Sequence, residues 1–453
     1  MLAMVFVTLF SSALPFFWDT ILYSRIAHWF IDSNFTSLIP PENLDTGNQP
    51  FFALLLAAFW KITGKSLWSA HLLILPFLII TAVQYFRLLK YFVPTATHWI
   101  GVIVFLSEPV FLAQSTMVSL DIIILSLYLL ALNSILHKQK GLLLLSTCLL
   151  ALTNTRGILL ICPLMLSHTY LAERRSPPDL IKITLFYLPA LLTAMTWIVY
   201  HYQETGWWLT QPAEWSRHRQ LLGLTGMLRN LLFILWRLFD FGQCILIVLA
   251  AGLWMKKRRN ISPKEKDLLI LILIPFTCLV LFFIPFSNPI GHRYLLVVLV
   301  LIPIAFSALI SPLKALSQKV LAPIILMAFL AGQCFFYPPP FSNGWDSTIA
   351  HLYYFKARDE MKDFILSKTI KPENVGVDFP CDISYRYTNL VKDIHFSNKI
   401  DGGIEAFPYV LQSNINNKFN RPELEDLSKN WTLVKEIKNG PVYMRLYKNP
   451  TCD

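Results

Sequence analysis

The sequence predicts a polytopic α-helical membrane protein with a small α/β domain at its C-terminal end, and three observations carry that prediction. Of the 453 residues, 55% are apolar and the mean hydropathy is +0.51, too hydrophobic for a soluble globular chain. The apolar residues gather in runs near the roughly 20 residues that cross a bilayer core. The basic residues collect in alternate loops, as they do when they set membrane orientation. The net charge of +11 is not a nucleic-acid signal: residues 1–336 hold 24 Lys and Arg against 13 Asp and Glu, whereas residues 337–453 hold 15 of each. The excess belongs to the membrane part, where it sets topology.

Taken in order, apolar runs fall at about 1–17, 69–87, 95–113, 120–136, 141–153, 157–172, 180–201, 229–255, 267–286, 294–311 and 320–336, which predicts eleven spans. The first run lacks a basic leader and passes into Phe17-Trp18-Asp19 rather than a small-residue cleavage site, so it reads as a retained span. Loops carrying Arg87/Lys90, Lys138/Lys140, Arg174/Arg175, Lys256–Arg259 with Lys264/Lys266, and Lys314/Lys319 are assigned to the cytoplasm. The N-terminus is then inside, and the C-terminal segment lies outside an inner or plasma membrane.

Three outside segments exceed a turn. Residues 18–68 hold Trp18–Ile31 and Pro50–Thr63, which ends at Gly64; both read as interfacial helices, with Trp18, Trp29, Trp60 and Trp68 suited to the headgroup zone. Residues 202–228 carry Trp207, Trp208, Trp215, Arg217, His218 and Arg219. After Pro338-Pro339-Pro340 the hydropathy falls. The pattern there gives an amphipathic helix near 346–368, a strand at Val375–Phe379, a helix or turn near 421–429, and strands Trp431–Ile437 and Val442–Tyr447 around Asn439-Gly440-Pro441. The predicted domains are therefore 1–336, transmembrane, and 337–453, an extracytoplasmic α/β unit. Five of the seven cysteines lie in or beside apolar runs without metal-ligand spacing, leaving Cys381 and Cys452 as the pair that could join outside.

Asp19 and Asp121 each stand just off an apolar run, and the topology puts both on the non-cytoplasmic face. Carboxylates at a membrane boundary are costly to desolvate, so two on one face point to a site. Around them lie ordered strings: Phe17-Trp18-Asp19-Thr20, then Gly47-Asn48-Gln49-Pro50 leading into an apolar helix that ends at Gly64, then Ser115–Asp121, Thr153-Asn154-Thr155-Arg156-Gly157, His292-Arg293-Tyr294, and a terminal Trp431–Val434 with Leu446-Tyr447. In this order they resemble the GT-C glycosyltransferases, in particular the branch of dolichyl-phosphate-mannose protein mannosyltransferases and bacterial lipid A aminoarabinose transferases. Thr20 departs from a second acid common in that branch, and Asn48-Gln49-Pro50 from a His/Lys-Pro-Pro. The resemblance implies a GT-C-like membrane fold and inverting transfer of a sugar from a polyprenyl-phosphate donor. It places Asp19 and Asp121 at the reaction, Arg156 and Arg293 beside them, and Gln49 and Tyr294 against substrate.

The residue types suit that chemistry on their own account. Displacing a lipid phosphate from an anomeric carbon needs a base near the acceptor hydroxyl and cations near the leaving phosphate. Asp19 can serve as the base, and Arg293, with Arg156 or Arg217 and Arg219 assisting, can bind the donor phosphate, since guanidinium groups match phosphate oxygens bidentately. Asp121 could orient either substrate or share a Mg²⁺ or Mn²⁺ with Asp19, hard cations suited to carboxylates. Plainer readings stand beside these. Asp19 and Asp121 could cap helices, Arg293 and Arg156 could anchor span ends, Arg217 and Arg219 could be loop charges, and His292 and His218 show no partner at ligand spacing. The acceptor is a glycan, a lipid or a protein, and no nucleic acid is expected. The alternative function is a transporter or lipid flippase, for which Asp19, Asp121 and Arg156 would line a path; no internal repeat supports it.

Overall fold

A computed structural model describes residues 1–173, 179–209, 211–212, 219–288, 290–339, 344–391, 393–398, 402–416 and 418–451. Each apolar run holds a helix, the first only over Leu2–Ser11, and Arg174, Arg175 and Cys452 lie outside the described residues. The helices are α1 (Leu2–Ser11), α2 (Asp19–Asp32), α3 (Phe51–Thr63), α4 (Leu67–Phe92), α5 (His98–Ser107), α6 (Pro109–Ser115), α7 (Leu120–Leu136), α8 (Lys140–Thr153), α9 (Thr155–Glu173), α10 (Leu180–Thr205), α11 (Leu224–Phe239), α12 (Gln243–Lys257), α13 (Pro263–Phe283), α14 (Leu296–Ile310) and α15 (Ala315–Gln333). Five helical segments are long and apolar enough to cross a membrane alone: α4, α10, α13, α15, and α14 together with the 3₁₀ turn before it. Two bent pairs raise the number to seven, and the protein is an integral, multi-pass membrane protein. The shorter α1, α7 and α8 are apolar without reaching that length.

The apolar runs at 95–113 and 229–255 are each bent into two helices. Between α5 and α6 the axis turns by 61° at Glu108, and between α11 and α12 by 87° at Asp240-Phe241-Gly242. Glu108 accepts from the Val110 N–H at 3.2 Å and also caps Phe111, so the carboxylate satisfies donors that the break frees. At the second break Phe241 and Gly242 take φ of 50° and 86°. Gly332 of α15 touches this turn so closely that an added Cβ would lie 2.1 Å from the Phe241 carbonyl oxygen. Gln243, opening α12, donates to Glu108 at 2.6 Å and so latches one break to the other.

Every residue of α14 is buried, as are sixteen of the seventeen in α7, which explains why both are apolar all round. Outer helices instead expose leucines: Leu185 and Leu192 of α10, Leu228 and Leu232 of α11. Such exposed apolar side chains suit a lipid-facing surface.

Beyond residue 344 two 3₁₀ turns, Trp345–Ser347 and Ile349–His351, precede α16 (Leu352–Ser367), so the helix expected from 346 starts six residues later. A five-stranded sheet follows with α17 (Tyr385–Thr388) and α18 (Arg421–Asn430). Its order is β2-β1-β3-β5-β4, from β1 (Val375–Val377), β2 (Ser397–Asn398), β3 (Tyr409–Ser413), β4 (Thr432–Asn439) and β5 (Val442–Lys448). β1 runs parallel to β2 and β3, while β3–β5 and β5–β4 are antiparallel. The short β2 and β3 had no alternating pattern long enough to read. The sheet segment packs directly on the N-terminal helices: Phe16 N–H donates to the Thr388 carbonyl at 2.9 Å, Ser24 to that of Tyr387 at 2.8 Å, and the Phe17 ring stacks on His351 at 5.2 Å. α2 is thereby held between α3 of the helical bundle and α17 of the C-terminal segment.

Candidate active site

Helix N-termini converge on one place. Asp19 opens α2, Asp121 lies in the first turn of α7, Arg156 in the first turn of α9, and Arg293 in the 3₁₀ turn that leads into α14. Unsatisfied N–H groups and the positive ends of helix dipoles make such a place favourable for anions. Neither aspartate is the cap of its helix. Trp18, with φ of 55°, stands at the α2 N-cap, and the Thr20 hydroxyl instead accepts from the Phe17 N–H at 2.9 Å. In α7 the cap is Ser119, which accepts from the Asp121 N–H at 3.1 Å. Both carboxylates are thus left for other partners.

Those partners are the arginines. The Arg293 side chain, 9% exposed, is surrounded by three carboxylates: Nη2 donates to Asp19, Nη1 lies 3.2 Å from Asp346, and Nε lies 3.8 Å from Asp121. Arg156 Nη1 donates to Asp121. The Tyr294 ring lies 4.5 Å from the Arg156 guanidinium and 5.6 Å from that of Arg293, and stacks at 5.4 Å on Phe283. Tyr23, one helical turn along α2 from Asp19, completes the surroundings. Burial pushes its phenol above the usual range, while Arg156 and Arg293 pull it down and Asp19 and Asp121 raise it further.

The carboxylates differ in access. The Asp19 side chain is 47% exposed; those of Asp121 and Asp346 are 6% and 9% exposed. Beneath them a cavity of about 20 Å³, room for one oxygen-sized group, is lined by Asp121, Arg156, Arg293 and Tyr294 with apolar side chains from α7, α9, α13 and α14. Among the described residues the buried Arg293 Nε–H beside Asp121 makes no hydrogen bond. With Arg293 already bridging Asp19 and Asp121, a Mg²⁺ or Mn²⁺ shared by that pair does not fit their arrangement. Among the described residues no group of three His, Cys, Asp or Glu side chains could hold a metal.

Asp346 lies inside the amphipathic stretch, where nothing in the sequence sets it apart, and Gln114, which places it, is equally unmarked. Gln114 donates to the Asp346 carbonyl at 2.6 Å and accepts from the Ser119 hydroxyl, which in turn caps α7 at Asp121. One side-chain chain therefore spaces the carboxylates on either side of Arg293. A second charged group adjoins it. Asp240 pairs with His292 at 2.7 Å, accepts from Tyr337, and lies 3.6 Å from Arg237, whose guanidinium sits by the Trp236 and Tyr337 rings. His292, expected without a partner, is buried in this group.

The remaining expected residues are placed elsewhere. Arg217 and His218 lie outside the described residues. Arg219 stands on the stretch whose Gln220 and Leu222 bond to Ser287 and Pro285, and it makes no ion pair among the described residues. Gln49 is buried next to Asn48, whose Oδ1 accepts from the Thr155 hydroxyl at 3.0 Å, one residue from Arg156.

No protein-family model and no curated protein sequence matches this chain. Solved structures do. The crystal structure of ArnT from Cupriavidus metallidurans in the apo state superposes with a TM-score of 0.57 at 11% identity, covering 98% of this chain and 96% of that one. The same enzyme bound to undecaprenyl phosphate gives a TM-score of 0.50 at 10% identity, covering 99% and 97%. From its first helix to its last strand, the chain therefore has the fold of ArnT, in keeping with the resemblance that its ordered motifs carry.

Proposed function

We propose that this protein is a membrane glycosyltransferase that takes a sugar from a polyprenyl-phosphate donor and transfers it, with inversion, to a hydroxyl acceptor on the non-cytoplasmic face. The observation that carries this reading is the buried Arg293, set among helix N-termini, with carboxylates around it and an Nε–H beside Asp121 that makes no hydrogen bond among the described residues. A guanidinium so placed is suited to phosphate oxygens. The likeness to ArnT bound to undecaprenyl phosphate supports a polyprenyl phosphate as the lipid.

In the reaction, the acceptor oxygen attacks the anomeric carbon as the bond from that carbon to the phosphate oxygen breaks. The electron pair leaves with the phosphate, whose added negative charge Arg293 and Arg156 stabilise. Asp19, the most exposed of the carboxylates, takes the acceptor's proton. Asp121 keeps Arg156 in place, and Tyr294 supports the same guanidinium through its ring. The charged groups cluster at helix ends rather than along a path through the bundle, which favours an enzyme over a transporter or flippase.

Two measurements test the reading. Undecaprenyl phosphate added to the purified protein should raise its melting temperature, and turnover on a panel of undecaprenyl-phosphate sugars, each supplied with a hydroxyl-bearing glycan, lipid or peptide acceptor, should release the free lipid phosphate. No stabilisation by the lipid would defeat the donor assignment. Sidedness is tested by labelling Arg258→Cys and Lys438→Cys in a cysteine-free background; reaction of both from the same side of the membrane would defeat the orientation.

A further inference from the structure

The proposed reaction assigns no step to Asp346 or to Gln114, which holds it. Gln114, on α6 and 1% exposed, donates from Nε2 to the Asp346 carbonyl at 2.6 Å, and its Oε1 accepts from the Ser119 hydroxyl. Ser119 in turn accepts from the Asp121 N–H at 3.1 Å. These groups form one directional run in which every donor meets an acceptor, so the amide is satisfied at both ends. The segment that carries Asp346 is clasped to the bundle around this bond. Gln333 of α15 accepts from the Ile349 N–H at 2.8 Å, and Gly344, with φ of 87°, lies where an added Cβ would come 3.3 Å from the His292 ring. Asp346 is thus a carboxylate that the C-terminal segment lends to the cluster, whereas Asp19 and Asp121 belong to the bundle.

We propose that Gln114 is a positioning residue for the transfer reaction, its two-ended amide setting the spacing of Asp346 and Asp121 on either side of Arg293. This rests on the polyprenyl-phosphate reading above. Arg293 is a planar fork whose Nη1 lies 3.2 Å from Asp346 and whose Nη2 donates to Asp19, the proposed base. A fork held at two corners cannot turn about its stem, so the placement of Asp346 fixes where the free edge of the guanidinium points and where the base stands relative to it. Gln114 touches no reacting atom; it works through the Asp346 backbone on one side and through Ser119 on the other. That task needs a donor and an acceptor side by side at the end of this stem. An ionised carboxylate offers acceptors only and would oppose the Asp346 carbonyl oxygen, whereas a protonated carboxyl has one O–H and one carbonyl oxygen and repeats the pattern of the amide.

The test uses the full-length protein, with variants matched for membrane insertion, and reads turnover on a panel of undecaprenyl-phosphate hexoses and pentoses with a hydroxyl-bearing acceptor, Kd for bare undecaprenyl phosphate by tryptophan fluorescence, and melting temperature. Gln114→Glu at neutral pH should turn over about 10- to 100-fold more slowly, the scale of about 1 Å of misplacement. It should bind the bare lipid within about threefold of the wild type, because the guanidinium groups that meet phosphate are unchanged. As pH falls and the new carboxyl takes up a proton, the deficit relative to the wild type should shrink. The ionisable groups that face α6, namely Glu108, Asp121, His292, Arg293, Asp346 and His351, are common to both proteins, so the ratio of rates at each pH isolates position 114. Gln114→Met can neither donate nor titrate and should show a deficit of similar size at every pH; it carries the test alone if Gln114→Glu does not insert. A merely structural amide would lower the melting temperature and leave turnover per folded molecule unchanged. Wild-type turnover in Gln114→Met, a Gln114→Glu deficit that ignores pH, or a loss of lipid affinity as large as the loss of turnover would overturn the proposal and leave the donor reading standing. A wild type that turns over no donor in the panel defeats that reading and this inference together.

Discussion

Replacing Arg293 by lysine keeps the charge and removes the fork, which isolates what the fork does. The guanidinium reaches Asp19, Asp346 at 3.2 Å and Asp121 at 3.8 Å in different directions, and a single ammonium cannot meet all three. Asp121 would keep Arg156, so Asp346, held otherwise by the Ser347 hydroxyl at 3.0 Å, is the carboxylate left short. Removing one partner of a buried pair costs about 3–5 kcal/mol. With the charge retained, a loss of about 1–3 kcal/mol is expected in Arg293→Lys, the cost of one buried group left without its hydrogen bond. The donor should suffer as well. One charge-assisted hydrogen bond to phosphate is worth about 1.5–3 kcal/mol, so undecaprenyl phosphate should bind about 10- to 150-fold more weakly. Melting followed by tryptophan fluorescence reads the first effect, and lipid titration the second. Adding Asp346→Asn should recover stability, because the stranded charge is gone, without recovering lipid affinity. A double variant melting no higher than Arg293→Lys, or an Arg293→Lys protein with wild-type lipid affinity, would refute the reasoning.

Asp19→Asn keeps size and removes the base; since Asp19 does not cap α2, the fold should survive while turnover falls about 10²- to 10⁴-fold on insertion-matched protein. Gly332→Ala would drive a methyl to 2.1 Å from the Phe241 carbonyl oxygen, so the protein should melt lower by the equivalent of about 1–3 kcal/mol, whereas Gly252→Ala, with nothing within 4 Å of the new methyl, should be neutral or slightly stabilising. Burial pushes His351 down to about 4, only partly offset by its bond to the Thr348 carbonyl at 2.8 Å. The unfolded chain then binds the proton first, so this contribution to stability is present above about pH 6.5 and is lost as pH falls through about 4, and His351→Gln should flatten a melting-temperature profile across that window.

The sequence exposes what is periodic or chemically unusual in its local setting. Runs of apolar residues mark helices because a bilayer demands them, and Asp19, Asp121, Arg156 and Arg293 stand out because charge at the edge of such a run is costly. The structure brings those residues together. The breaks at Glu108 and Asp240 escaped notice because apolarity continues across them; only the fold reveals that Gly332 backs one and that Gln243 ties the two. Asp346 was hidden for a different reason. It sits among polar residues where another acid is unremarkable, and its partner lies 53 positions earlier, a pairing that no local pattern encodes. Likewise Asp45 and His201 form a buried pair across 156 positions, each looking like an ordinary loop or helix-end residue.

Three aspartates share the cluster with two arginines, so the ligand-free site carries a formal charge of −1. In the proposed reaction a lipid phosphodiester brings the total to −2, and transfer leaves it there, since the proton gained by Asp19 balances the charge gained by the phosphate. The imbalance comes afterwards. When the half-exposed Asp19 gives that proton to solvent, the total becomes −3, and the spent lipid phosphate is repelled by the carboxylates that Arg293 had held. Resetting the base and ejecting the product are then a single electrostatic event, timed by access of water to one side chain.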